Sequence, residues 1–289
     1  MSAAVRLWTM SCEGEAAMSV LFYHFQSEYL RGNEQITVIL PDKREDISPA
    51  QFYQSGKRYK VLWLLHGTFN DATDWIRRTN IERYACEKDL VVVMPSALNS
   101  NYSNWNGFMM GFQMYDFLTE ELMPLIYGWF PVSDRREDNF IAGLSMGGRG
   151  AIKYAVNHPD RFAAAAVLSA APLDFSAIRP GHPCPLLNSE EPRLAATIRN
   201  AGGLEAYRAS NENVWEILDR LAPAGTLPRL MFACGTEDDL FYEQFRVFRA
   251  HAEEIGLKAH WFEREGYCHE WSFWDLAIQE ALSFFELDE

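Results

Sequence analysis

Phe140-Ile141-Ala142-Gly143-Leu144-Ser145-Met146-Gly147-Gly148-Arg149-Gly150 reads as a short apolar strand that stops at a Gly-x-Ser-x-Gly box. A helix then continues through Ala151-Ile152-Lys153-Tyr154-Ala155-Val156. A serine between strand and helix, with a glycine two residues away on either side, has a physical reading. The turn forces the serine into a strained backbone conformation, and the glycines keep side chains out of its way. The hydroxyl projects from the carboxyl edge of a sheet, and the helix N-terminus behind it favours developing negative charge. The competing reading is a glycine-rich turn whose serine does nothing. A phosphate-cradling loop is disfavoured, because no Gly-Lys-Ser/Thr follows and no Gly-x-Gly-x-x-Gly is present. An acid and a histidine downstream, in that order, decide between the first two.

Outward from this box, strands alternate with helices. Residues 60–65 (KVLWLL) and 90–94 (LVVVM) are continuous apolar runs, the mark of strands buried on both faces. Residues 161–169, 229–235 and 258–263 continue the series, with helices expected over 240–255 and 272–285. Upstream, 19–26 and 35–40 read as an opening antiparallel hairpin. A helix is expected over 75–88 with Asp74 as its N-cap, and another over 114–130 with Glu120 and Glu121 turned outward. The pattern predicts an α/β fold: a mostly parallel sheet with helices on both faces. Two stretches break the rhythm. Residues 96–111, rich in Asn, Gly, Ser and aromatics, are too long for a connector and read as a site-lining loop. Residues 172–228 carry seven prolines and read as a small insertion over the sheet's carboxyl edge.

The acid and the histidine are there. Asp238 follows the strand at 229–235, within Gly235-Thr236-Glu237-Asp238-Asp239. His269 follows the next strand, within Gly266-Tyr267-Cys268-His269-Glu270-Trp271. The order Ser, Asp, His is the one an α/β-hydrolase fold imposes, because each residue sits on a successive carboxyl-end loop. A serine hydroxyl is a weak nucleophile until a neutral imidazole takes its proton, and that imidazole needs a carboxylate on its far nitrogen. Acidic runs after strands are also helix caps, so Glu237 and Asp239 read as caps or solvated neighbours. The oxyanion hole is expected from backbone N–H groups of Met146, directly after the nucleophile, and Thr68, after the strand at 60–65. His66 reads as structural, since no second metal-type residue stands at ligand spacing. Cys268 reads as a packing residue, because it points away from its neighbour His269 in an extended segment.

Composition limits the rest. A chain of 289 residues with 48% hydrophobic content fits one large domain, read as 18–289, with 1–17 a leader or extension outside the core. The net charge of −14 argues against nucleic acid or an anionic membrane as partner. No window of 18 apolar residues is present to span a membrane. Five cysteines with no CxxC pair and no secretory signal point to a reducing, cytoplasmic setting. No cofactor or metal is called for, and self-association is left open.

These stretches together resemble the putative-esterase (esterase D-like) family of α/β hydrolases, and most of all its bacterial tributyrin esterases. The resemblance is carried by Leu64-Leu65-His66-Gly67, Trp75 with Thr79-Asn80-Ile81-Glu82-Arg83, Val92-Val93-Met94-Pro95, Thr119-Glu120-Glu121-Leu122, residues 140–148, Cys234 to Asp238, and Gly266 with His269-Glu270-Trp271. It implies a serine carboxylesterase acting on short-chain acyl esters, with acetyl or feruloyl esters of carbohydrates among the candidates. An S-formylglutathione-type thioesterase or an acyltransferase is the alternative. By the same resemblance Ser145, Asp238 and His269 are the triad, and Thr68 and Met146 supply the oxyanion amides. Trp105, in the loop at 96–111, is the candidate substrate contact, facing the acyl or alcohol group of a small-molecule ester.

Overall fold

Buried strands fix the architecture. In the computed structural model, which describes residues 17–44, 46–175 and 192–287, β1 (Ala17–Ser27) and β2 (Gly32–Asp42) form an antiparallel hairpin. The sheet continues through β3 (Val61–Leu65), β4 (Val91–Pro95), β7 (Asn139–Leu144), β8 (Ala164–Leu168), β9 (Arg229–Gly235) and β10 (Ala259–Arg264). A separate pair, β5 (Asn104–Trp105) and β6 (Phe112–Gln113), lies apart from it. Among the described residues the large sheet has eight strands in the order β1-β2-β4-β3-β7-β8-β9-β10. It is parallel from β4 to β10. The expected leader at 1–17 falls, except for Ala17, outside the described residues, and so do residues 176–191 of the insertion.

Continuous apolar runs became central strands for the expected reason. Every residue of β3, β4, β7 and β8 is buried, because both faces are covered. The alternation of a strand divides them between two cores. Val61, Trp63 and Leu65 join one core with the helix Met146–Asn157, while Leu62 and Leu64 join the other with the helix Trp271–Phe284.

Three local readings need correction. The helix expected over 75–88 is two helices, Asp74–Arg78 and Ile81–Glu87. Thr79 ends the first, its hydroxyl donating to Trp75 O (2.6 Å) and accepting from the Ile81 N–H (3.2 Å). That local side-chain bonding competes with a continuing helix. Asp74 is accordingly the first helical residue and not the cap; its carboxylate accepts the Asp71 N–H (2.8 Å) and pairs with Arg78.

The helix expected over 114–130 widens into a π-turn at Phe117–Leu122 before Met123–Trp129. Pro124, just beyond it, has no N–H for the α pattern, and the wider turn accommodates its ring. Glu120 is exposed and pairs with Arg161, as an outward residue should. Glu121 turns back onto the β1–β2 turn, where it accepts from the Ser27 hydroxyl and the Glu28 and Tyr29 N–H groups. The insertion differs too. Its last described α-helix, Val214–Leu221, buries Val214, Trp215, Ile217 and Leu218 in the core beside Met146–Asn157, so it serves as a layer of the fold.

Glu34, near the start of β2, has a burial with a measurable consequence. Its Oε1 is buried without a hydrogen-bond partner, and burial pushes its carboxyl up to about 7, against the opposing Gln35 and Ser96 backbone bonds. The native state therefore holds a proton that the unfolded chain releases near pH 4.5. Stability is unaffected below that pH and falls as pH climbs towards 7. Glu34→Gln should exceed wild type by about 1–3 kcal/mol at pH 8 and match it near pH 4. Urea midpoints at the two pH values would show this, and equal differences at both would overturn it.

Candidate active site

Ser145 closes β7 with φ 52° and ψ −116°, and the helix Met146–Asn157 starts at the next residue. That conformation is strained for any residue with a Cβ. The close packing around it explains the glycines. A Cβ on Gly143 would overlap the Gly147 carbonyl, and one on Gly147 would overlap the carbonyls of Leu65 and His66. The Ser145 N–H is held by Leu168 O (2.8 Å), while its side chain makes no cap bond to the helix. The hydroxyl is thus positioned by the backbone and not consumed by it.

The acid and the imidazole meet at the neighbouring strand ends. Asp238 is 1% exposed, whereas Glu237 and Asp239 are exposed. Asp238 Oδ1 accepts from the N–H groups of Leu240 (3.2 Å) and Phe241 (3.1 Å), and Oδ2 lies 2.8 Å from His269 Nδ1. A carboxylate already holding two backbone donors takes the imidazole N–H as its third, which places the proton on Nδ1 and the lone pair on Nε2. Phe241 stacks on the His269 ring (5.2 Å) and Trp274 meets it edge-on (4.9 Å), limiting its rotation. The loop carrying His269 is clamped to the acid loop: Glu237 N–H reaches Tyr267 O (3.0 Å), and Gly235 leaves no room for a Cβ against Tyr267. Cys268 is exposed and bonds through its backbone to Glu270.

Thr68 lies on the β3 exit loop and Met146 opens the helix that packs on that exit through Gly147. His66 organises the loop. Its Nδ1 donates to Gly67 O (2.7 Å) and its Nε2 accepts the Ala97 N–H (2.8 Å), a fixed neutral tautomer that burial also favours. No cluster of three metal-type side chains exists among the described residues.

Trp105 belongs to β5, paired with Phe112 of β6, and its Nε1 donates to Ser100 O (2.7 Å). With Leu98, Asn99, Ser100, Phe108 and Phe112 it lines a cavity of about 330 Å³. Ser145, Asp238 and His269 are not among those lining residues; the link to the β3 exit loop is Asn99, whose Oδ1 accepts the Phe69 N–H (2.9 Å). Sequence reasoning missed Tyr102, the wedge of this region. Fully buried with φ 51°, it packs its ring against Gly150 and donates its hydroxyl to His66 O (3.0 Å). Nothing in a polar, irregular stretch signals such a residue.

Comparison with known proteins gives the family and the fold. The family model described as putative esterase matches residues 27–285. An acetyl esterase of Caldicellulosiruptor saccharolyticus is 28% identical over 279 residues, 92% of this chain and 98% of the relative. Among solved structures, the S-formylglutathione hydrolase FrmB of Staphylococcus aureus is 30% identical, with 93% of this chain and 99% of that one covered and a TM-score of 0.72. FphF, a fluorophosphonate-binding serine hydrolase of the same organism solved with substrate bound, is 32% identical, covering 94% and 99%, with a TM-score of 0.73.

Proposed function

The chain belongs to the putative-esterase family and is a serine-type carboxylic ester hydrolase of α/β-hydrolase fold, and from that premise we propose how it works. Ser145 is the nucleophile, His269 the base and Asp238 the residue that orients it. The observation that carries this is the 2.8 Å contact of His269 Nδ1 with a buried Asp238, in a sheet whose β7 ends in a strained serine that makes no cap bond. His269 Nε2 takes the hydroxyl proton as Oγ attacks the ester carbonyl. The tetrahedral oxyanion is held by the Thr68 and Met146 amides, with the positive end of the helix Met146–Asn157 behind it. The imidazolium then protonates the leaving alcohol, and water repeats the sequence on the acyl-enzyme.

The substrates are short-chain acyl esters, acetyl esters first, as the acetyl esterase relative and the tributyrin-type motifs suggest. A thioester such as S-formylglutathione is the second reading, favoured by the likeness to FrmB. We read residues 18–289 as one domain in a cytoplasmic setting, a reading supported by the free thiols of Cys234 and Cys268. Steady-state kinetics on p-nitrophenyl esters from acetate to octanoate, with methyl ferulate and S-formylglutathione alongside, tests this. The expected optimum is two to four acyl carbons, about, since each methylene left unburied forfeits up to ~0.8 kcal/mol. An optimum at eight or more carbons would sink the short-pocket reading, and a dominant thioester rate would install the second.

Trp105→Ala should move the acyl-chain preference towards longer groups more than it lowers acetate hydrolysis, because it enlarges the cavity beside Phe112. An unchanged profile would remove Trp105 from the substrate pocket.

A further inference from the structure

Lys153 lies eight residues beyond Ser145 on the elbow helix, and its side chain is 3% exposed. An ammonium has three donors, and here each finds an acceptor on a different stretch or group: Asn101 O (3.0 Å), Ser103 Oγ (3.0 Å) and Glu212 Oε2 (2.9 Å). Asn101 and Ser103 belong to the loop that carries the Trp105 cavity; Glu212 belongs to the insertion, just before the helix Val214–Leu221. A buried pair of this kind adds little net stability over an apolar pair of equal volume, so its effect is geometric.

The loop needs such a hold. Leu98, Asn101, Tyr102 and Met109 all have positive φ, a conformation that non-glycine residues keep only when their surroundings impose it. The Asn101 carbonyl held by Lys153 is next to Tyr102, whose hydroxyl reaches His66 O. Two further bonds tie the same pieces: Asn157 Nδ2 donates to Asn211 O (3.0 Å), and Asn200 Nδ2 donates to Asn104 O (2.5 Å).

We propose that Lys153 is a positioning residue for substrate selectivity: by holding Asn101, Ser103 and Glu212 at one point it fixes the loop wall around Trp105 against the elbow helix and the insertion. The proposal rests on the esterase reading of Ser145, and the test separates the two. Lys153→Met leaves Glu212 buried and unpaired, so the double variant Lys153→Met/Glu212→Leu, apolar on both sides, accompanies it.

Three readouts apply to each folded variant. Limited chymotrypsin digestion, cutting at Leu98 and Phe108, should be about tenfold faster than in wild type if the loop is released. The ratio of octanoate to acetate kcat/KM should change by about tenfold, through KM more than kcat. The rate of fluorophosphonate labelling of Ser145, which reports the nucleophile itself, should stay within about threefold. Wild-type digestion and an unchanged ester ratio in the double variant would overturn the proposal. So would a collapse of labelling, which would mean that Lys153 acts on the nucleophile. Were wild type to hydrolyse none of the esters, the esterase reading would fail, and the digestion would still judge the clamp.

Discussion

In Ser145→Ala, kcat on the best ester should fall by roughly 10⁴–10⁶-fold, leaving only what binding and the oxyanion amides supply. The fold should survive the change. Alanine carries the same Cβ into the φ 52° turn, so the strain of the elbow is unaltered. The lost hydroxyl does not cap the helix, so no helix-end bond goes with it. The backbone bonds that shape the turn, Ser145 N–H to Leu168 O and Arg149 N–H to Ser145 O, do not involve the side chain. Circular dichroism and a urea midpoint within about 0.5 kcal/mol of wild type would show a folded protein. Retention of more than a tenth of wild-type activity in such a protein would remove Ser145 as nucleophile and leave the glycine-rich turn as a packing device.

What could be read from the sequence follows from how strongly each residue's choice was dictated locally. β3, β4 and β7 were legible as runs, since burial on both faces requires apolar side chains at every position. Their ends moved by only a residue or so. The strand ends that bring Asp238 and His269 together were legible as well, because chain order around a parallel sheet dictates which loops are neighbours. Glu121 was misread because its partners, the turn residues Ser27 to Tyr29, lie more than ninety positions away. Thr79 was misread for the opposite reason. Its bonds are local, but apolar spacing over 75–88 carries no trace of them. The loop at 96–111 was legible only as an irregular stretch too long for a connector. Its conformation is imposed by Tyr102, Lys153 and Asn99, each acting through contacts that no periodicity encodes.

Asp238→Asn should cost on the order of 10²–10⁴-fold in kcat with little change in fold, and the reason lies in which atoms it holds. Oδ1 accepts two backbone N–H groups, from Leu240 and Phe241, so in the asparagine variant the amide oxygen is held there. The NH₂ must then face His269 Nδ1 in place of Oδ2. An amide N–H donates, so Nδ1 becomes the acceptor and the imidazole proton moves to Nε2. With a proton on Nε2, the ring has no lone pair to offer the Ser145 hydroxyl. The charge that steadies the imidazolium is gone as well. Glu237 and Asp239 provide the control within the same loop. Both are exposed, so Glu237→Gln and Asp239→Asn should change kcat/KM by no more than about twofold, the range of surface substitutions. Side-by-side kinetics of the three variants decides the matter. A loss at Asp239 equal to that at Asp238 would leave the acid unassigned, and an undiminished Asp238→Asn would mean that His269 is oriented by something other than the carboxylate it touches.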